Sequence, residues 1–411
     1  MNQNEYNKKA LHTPFVVGDP HGAISMPVYN SVAFEYESAE AMELAFTGRI
    51  AGHVYSRISN PTVGYFEEKV KAITGAHSVT ALNSGMAAIS NALMTVVKSG
   101  TSVVTTRHLF GNTYSLLAST LNDFGVETRF CDLTNLQEVE AAIDSTTSAL
   151  FLEIISNPQM EVADLRALSE MAHRKGVPVI ADTTLIPFCA FRAGEWGIDI
   201  EVVSSTKYIS GGATSIGGLI LDYGKFDWSQ SARLATLASE QGNNSFTFKL
   251  KKEIHRNLGA YMPAQAAYMQ TLGLETMDLR YRRASSTAAE LARRLEQTEG
   301  VACVTYGGLP TNPFYELSKQ QFGENPGAML TFDLKSQEAC FRWMNQLKVI
   351  HRATNLFDNK TLAIHPYTTI YGSYSTEAKA TMHIYETTIR LSVGLEEADE
   401  LMRDILQALQ A

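Results

Sequence analysis

The side chains with most chemical reach lie in short clusters. Ser84-Gly85-Met86 follows one apolar run and opens a helical pattern, so the free amides of Gly85 and Met86 and the positive helix end can hold a phosphate. Asn157 stands two residues beyond Ile155, Asp182 follows another apolar run, and Ser204-Ser205-Thr206-Lys207 follows a third. An amine such as that of Lys207 can bond a carbonyl carbon, a carboxylate can keep a ring nitrogen protonated, and hydroxyls can join helix amides around a phosphate. Taken singly, each has a blander role: Ser84 as an ordinary cap, Asp182 as a loop cap, Lys207 as a solvated surface lysine. Their chemistry depends on whether the fold brings them together.

Short apolar runs at Ser78-Leu82, Ser102-Thr105, Leu150-Ile155, Val177-Ala181, Ile200-Ser204 and Gly217-Leu221 read as strands. Helical patterns such as Met86-Val97 and Asp164-Lys175 lie between them, and Gly176 closes the second. This alternation predicts an α/β fold with a mostly parallel sheet covered by helices on both sides. Ligands of such sheets sit beyond the carboxyl ends of the strands, where the clusters above fall. Tyr208-Ile209-Ser210-Gly211-Gly212 follows Lys207 as a small-residue loop that lets a bulky ligand approach. A strand-end lysine, a carboxylate and a phosphate nest are the parts needed to hold pyridoxal phosphate.

Residues 1–59 alternate short apolar pieces with Pro14, Gly18, Pro20, Gly22 and Pro27 and read as an extended N-terminal arm. Asn60-Pro61 then caps a helix carrying Val63, Phe66, Val70 and Ile73 and ending at Gly75. The pattern divides the rest into a large ligand-binding domain, 60–245, and a smaller α+β domain, 246–411. The latter has helical stretches at Phe248-Leu258 and Gln265-Leu295, strands at Val301-Tyr306, Met329-Leu334 and Glu386-Val393, and a last helix at Glu396-Leu409. In Ile389-Arg390-Leu391-Ser392-Val393 the alternation places Arg390 and Ser392 on one strand face.

The 411 residues are 45% hydrophobic and 19% charged, with a net charge of -9, which argues against a nucleic-acid footprint and leaves uncharged surface for subunit contacts. The first fifteen residues lack a signal or transit pattern, no apolar stretch reaches a membrane span, and the four cysteines form no C-x-x-C pair. A cytoplasmic protein without membrane or nucleic-acid partners is expected. None of the ten histidines falls in an H-x-x-x-H pair or a Cys/His cluster with ligand spacing, so no metal centre is expected.

The spaced set Tyr55-Ser56-Arg57, Asn60-Pro61-Thr62, Ser84-Gly85-Met86, Ser204-x-Thr206-Lys207 and Arg390-Leu391-Ser392-Val393-Gly394 resembles the Cys/Met-metabolism family of pyridoxal-phosphate enzymes from about Gly22 to the C-terminus. The resemblance implies fold type I, with Lys207 as the lysine bonded to the cofactor and Asp182 as the partner of its ring nitrogen. Ser204, Thr206 and the amides of Gly85 and Met86 become its phosphate ligands. It places Phe110 at the position stacked on the pyridine ring, Asn157 at the cofactor hydroxyl or substrate carboxylate, and Arg390, helped by Asn355, at the substrate α-carboxylate. Tyr55 and Arg57 would serve the phosphate of a neighbouring subunit, so a homodimer or a pair of dimers with shared sites is implied.

Thr214-Ser215-Ile216-Gly217-Gly218 and Gln270-Thr271-Leu272-Gly273-Leu274-Glu275-Thr276 look most like the O-acetylhomoserine sulfhydrylases of that family. Such an enzyme takes an amino-acid substrate and a sulfur donor, O-acetylhomoserine and sulfide, to homocysteine and acetate. Three positions depart from the family pattern: Phe110 where tyrosine is usual, Gly212-Ala213 where sulfhydrylases carry His-Gly, and Asn355 in place of a common serine. Phe110 keeps the stacking and loses a hydroxyl, so its proton transfers would fall on Lys207, water or a nearby hydroxyl such as Tyr114. The closest alternative is elimination by a methionine γ-lyase or cystathionine lyase; a remoter one is a non-catalytic protein that binds a phosphate ligand.

Overall fold

The computed structural model describes residues 3–15, 19 and 21–410. Its larger sheet has seven strands: β1 Ser78–Leu82, β2 Ser102–Thr105, β3 Glu127–Phe130, β4 Thr147–Glu153, β5 Val179–Asp182, β6 Ile200–Val203 and β7 Gly218–Asp222. They are ordered β1-β7-β6-β5-β4-β2-β3, and every pairing is parallel except the two made by β7. The carboxyl ends of β1, β2, β4, β5 and β6 therefore share one edge.

Alternation along the strands splits the core into two layers. Val103, Ala149, Phe151, Ile180, Ile200 and Val202 face one side with Leu93, Trp228 and Phe246; Val104, Leu150, Leu152, Val179, Ala181 and Leu219 face the other. Burial on both faces explains why these strands read as nearly continuous apolar runs. The polar edge strand Glu127-Thr128-Arg129-Phe130 has no such run, and the sequence pattern does not reveal it.

The smaller sheet is ordered β10-β11-β12-β9-β8, from β8 Cys303–Thr305, β9 Met329–Asp333, β10 His351–Arg352, β11 Leu362–Ile364 and β12 Thr388–Ser392. At two and three residues, β10 and β11 are too short to leave a periodic signal.

The N-terminal segment is not wholly extended. Helices α1 Gln3–His12 and α2 Ala39–Phe46 precede α3 Pro61–Thr74, whose cap is Asn60, with its side chain accepting from the Thr62 amide. The apolar face of α1 is only Tyr6 and Ala10, yet both are fully buried, and the Tyr6 hydroxyl donates to the Leu274 carbonyl at 2.7 Å. Two apolar residues one turn apart are too few to stand out in a sequence. Gly18 and Pro20, two of the breakers in the arm reading, lie outside the described residues.

Candidate functional site

One edge of the larger sheet gathers most of the sequence-derived set around a cavity of about 290 Å³, lined by Gly85, Met86, Phe110, Asn157, Asp182, Ser204, Thr206, Lys207, Asn355 and Arg390. At one end is α4, Gly85–Val96, capped by the Ser84 hydroxyl, which accepts from the Ala87 amide at 3.1 Å. A Cβ on Gly85 would stand 2.6 Å from Ser204 Cβ, so the helix end meets the strand end at a distance that excludes a side chain. Thr206 is held by Gly217, its hydroxyl accepting the Gly217 amide at 3.0 Å and facing its carbonyl at 3.2 Å.

Lys207 reaches across the cavity and donates to Asn355 Oδ1 at 2.8 Å. Burial, with help from the Arg390 charge and against the opposing pull of Asp182, lowers its ammonium to about 8. Asp182 ends β5 and accepts from the Thr184 amide at 2.9 Å. Beside it in register on β4 stands Glu153, which accepts the Phe110 amide at 2.7 Å. Burial raises both carboxyls, and Glu153, which also feels Asp182, is raised further. Of the two, Asp182 is the one that feels the Lys207 charge, which pulls against its burial. Sequence reading passed over Glu153, although a carboxylate inside Ala149-Leu150-Phe151-Leu152-Glu153-Ile154-Ile155 is itself a signal.

Arg390, on β12 of the smaller sheet, is only 2% exposed. Its Nη1 donates to Asn157 Oδ1 at 3.1 Å and its Nη2 to the Asn355 carbonyl at 3.3 Å, while its buried Nε has no partner. Burial lowers its guanidinium to about 10, which leaves it charged at neutral pH. The Tyr371 hydroxyl lies 2.9 Å from the Leu109 carbonyl and 3.0 Å from that of Asn157, tying together the loops that carry Phe110 and Asn157.

Tyr55 and Arg57 are not among the residues that line this cavity. Arg57 donates to the Arg256 carbonyl at 2.7 Å, lies over the Tyr55 ring and lines a second cavity with His53, Lys251 and His255. Tyr114 also points elsewhere: it stacks on Phe130 with centroids 5.1 Å apart and packs edge-on against Tyr374. At the altered loop, Gly212 has φ +130° and its Cβ position lies 2.8 Å from Asn359 Nδ2, so a histidine there would be both strained and crowded.

The donor set fits pyridoxal phosphate: a cradle that a Cβ would fill, a half-buried carboxylate that can face a cation, and a lysine with a depressed pKa. An α/β sheet that collects such groups beyond its strand ends is the architecture of fold-type-I pyridoxal-phosphate enzymes. The chain belongs to the family described as Cys/Met metabolism PLP-dependent enzyme, which matches residues 8–410.

Among relatives, it is similar to the O-acetyl-L-homoserine sulfhydrylase of Corynebacterium glutamicum, 31% identical over 417 residues that span 97% of this chain and 95% of that one. It is similar also to the L-methionine gamma-lyase of Pseudomonas putida, 34% identical over 404 residues spanning 98% and 96%. Of solved structures, an O-acetylhomoserine sulfhydrylase of Wolinella succinogenes is 47% identical with a TM-score of 0.77, covering 86% of this chain and 99% of that one. The metY protein of Campylobacter jejuni, which carries N'-pyridoxyl-lysine-5'-monophosphate, is 30% identical with a TM-score of 0.91 over 100% of both chains. Among the described residues no helix is long and apolar enough to cross a membrane.

Proposed function

We propose that this enzyme exchanges the acetate of O-acetylhomoserine for sulfide at Cγ, giving homocysteine. The observation that carries the reading is one cavity holding both the Lys207 amine and the incompletely partnered Arg390, in a chain similar to sulfhydrylases at 31% and 47% identity. Bound pyridoxal phosphate supplies an electron sink for charge developing at the substrate's Cα. Asp182 would face the ring nitrogen, and the amides of Gly85 and Met86 with Ser204 and Thr206 would hold the phosphate. Arg390, with Asn157 and Asn355 beside it, takes the α-carboxylate. Lys207 Nζ, next to Asn355, removes the proton from Cα and returns protons along the substrate. The test is a panel of O-acetylhomoserine with sulfide, O-succinylhomoserine with cysteine, methionine, and cystathionine, scored for homocysteine, cystathionine and 2-oxo acids. Homocysteine from the first pair alone supports the reading, and 2-oxobutyrate as the main product overturns it.

Elimination is the second reading, favoured by the similarity to L-methionine gamma-lyase. Phe110 separates the two. Its ring lines the cavity without a hydroxyl, so this wall gives no proton to a leaving group. Acetate departs readily without one; a thiolate gains more from protonation. Wild type should therefore consume O-acetylhomoserine much faster than methionine. Phe110→Tyr should raise thioether elimination more than acetate replacement, with a general acid's about 10²–10⁴-fold as the upper bound. Equal wild-type rates on the two substrates would transfer the assignment to the lyase.

We further place Tyr55 and Arg57 at the phosphate of a neighbouring copy in a homo-oligomer. Exposed Ile24, Val32, Met42 and Phe46 along the N-terminal segment support this, since a second chain would cover them. Arg57→Ala and Lys207→Ala should each be nearly inactive. Equal mixtures refolded together should regain roughly a quarter of wild-type activity, from hybrid dimers with one intact site. Hybrids that form yet stay inactive would remove Arg57 from the partner's site.

A further inference from the structure

Three side chains remote in sequence meet outside the Lys207 cavity, none of them among the residues that line it. His108 follows β2, Glu161 lies in the turn after β4, and His383 sits between a short helix, Thr376–Thr381, and β12. His108 Nδ1 is 2.6 Å from Glu161 Oε2, the two imidazole centroids are 4.5 Å apart, and one ligand atom from each residue lies within 4.8 Å of the others. We propose that His108, Glu161 and His383 bind one divalent transition-metal ion of the zinc class, joining the segments that follow β2 and β4 to the one that leads into β12.

Two imidazoles and a carboxylate are a zinc ligand set that leaves a fourth position for water. Bonds of about 2.0–2.2 Å to a tetrahedral ion put ligand atoms roughly 3.3–3.6 Å apart, a separation that the 4.8 Å limit on this set contains. The loops are already fixed. Ser156 and Glu161 exchange bonds, the Glu161 amide donating to Ser156 Oγ at 3.0 Å and the Ser156 amide to the Glu161 carbonyl at 2.9 Å. Gln159 Nε2 donates to the Met382 carbonyl at 2.6 Å, which seats the residue before His383. His383, at φ 54°, is the left-handed residue that closes the helix Thr376–Thr381, the Ile384 amide donating to the Lys379 carbonyl at 2.9 Å, so the helix end fixes its backbone. An ion pair joins His108 to Glu161, and the His383 ring lies between the His108 imidazole and the Tyr385 ring, which it stacks on with centroids 6.4 Å apart. A neighbouring cavity of about 210 Å³, lined by Glu161, His383 and Asp333, gives an ion a route in and adds a second carboxylate to its wall. The separations along the chain, 53 and 222 residues, are why no spacing motif announces the set.

The holoenzyme, stripped with chelator, would be titrated with Co²⁺ while its visible ligand-field bands are followed, and with Zn²⁺ by calorimetry. One ion per chain in the micromolar range is expected. His383→Asn keeps a residue that tolerates the left-handed backbone and removes the imidazole, so it should weaken binding at least about tenfold with the cofactor's absorption unchanged. His108→Gln provides the same test should that variant fold poorly. Cys303→Ser, which removes the exposed thiol, should leave binding intact. Absence of saturable binding, or full-strength binding in both histidine variants, would overturn the assignment.

Discussion

Lys207→Ala is expected to leave a folded protein that no longer holds its cofactor covalently and turns over at least about 10²–10⁴-fold more slowly, the range that proton transfer alone supplies. The readouts are borohydride fixation of the cofactor, which should vanish, and initial rates. The same residue sets a pH dependence. An ammonium is not a nucleophile, and with its pKa lowered to about 8, roughly one Lys207 in ten is neutral at pH 7, against roughly one in three thousand at the ordinary 10.5. The apoenzyme should therefore capture pyridoxal phosphate at a rate that climbs about tenfold per pH unit below 8 and flattens above it. A climb that continues past pH 9 would mean that burial does not depress this amine. Fixation that survives in Lys207→Ala would place the reactive amine elsewhere.

Most of this site was legible because the larger sheet leaves two strong traces in sequence. Strands buried on both faces read as uninterrupted apolar runs, and parallel topology sends the residues after them to one edge. Asp182, Ser204, Thr206 and Lys207 follow from that geometry alone, and Asn157 needs only the turn that succeeds β4. Arg390 was readable from alternation in a strand of the smaller sheet, but nothing in its own neighbourhood says that its guanidinium crosses to Asn157, 233 residues away. Interactions that depend on packing between distant segments leave no local period. Glu153 stands inside a run that reads as a strand, and so falls outside a search limited to residues after strand ends; sequence proximity of Tyr114 to Phe110 says nothing of which way its ring turns; and the buried face of helix α1 is only two residues long.

Arg390→Gln is expected to lower kcat/KM for O-acetylhomoserine by about 10²–10⁴-fold, two charge-assisted hydrogen bonds at about 1.5–3 kcal/mol each. Among the described residues no ion pair involves Arg390, although it is 2% exposed and charged at neutral pH. A buried charge without a counter-charge carries an unrepaid desolvation cost, and an Nε without an acceptor adds to it. Neutral partners hold the other edge of the fork: Asn157 Oδ1 at 3.1 Å and the Asn355 carbonyl at 3.3 Å. They orient the guanidinium without neutralising it, so a planar carboxylate is the ligand best able to complete the fork. The cofactor's absorption should be unchanged in the variant, because this arginine is assigned to the substrate and not to the phosphate. The decisive comparison uses 3-aminopropyl acetate, which is O-acetylhomoserine without its α-carboxylate. Wild type and Arg390→Gln should process it at similarly low rates, since neither can form the missing pair. If the variant loses as much on that compound as on O-acetylhomoserine, Arg390 shapes the cavity and another cation takes the carboxylate.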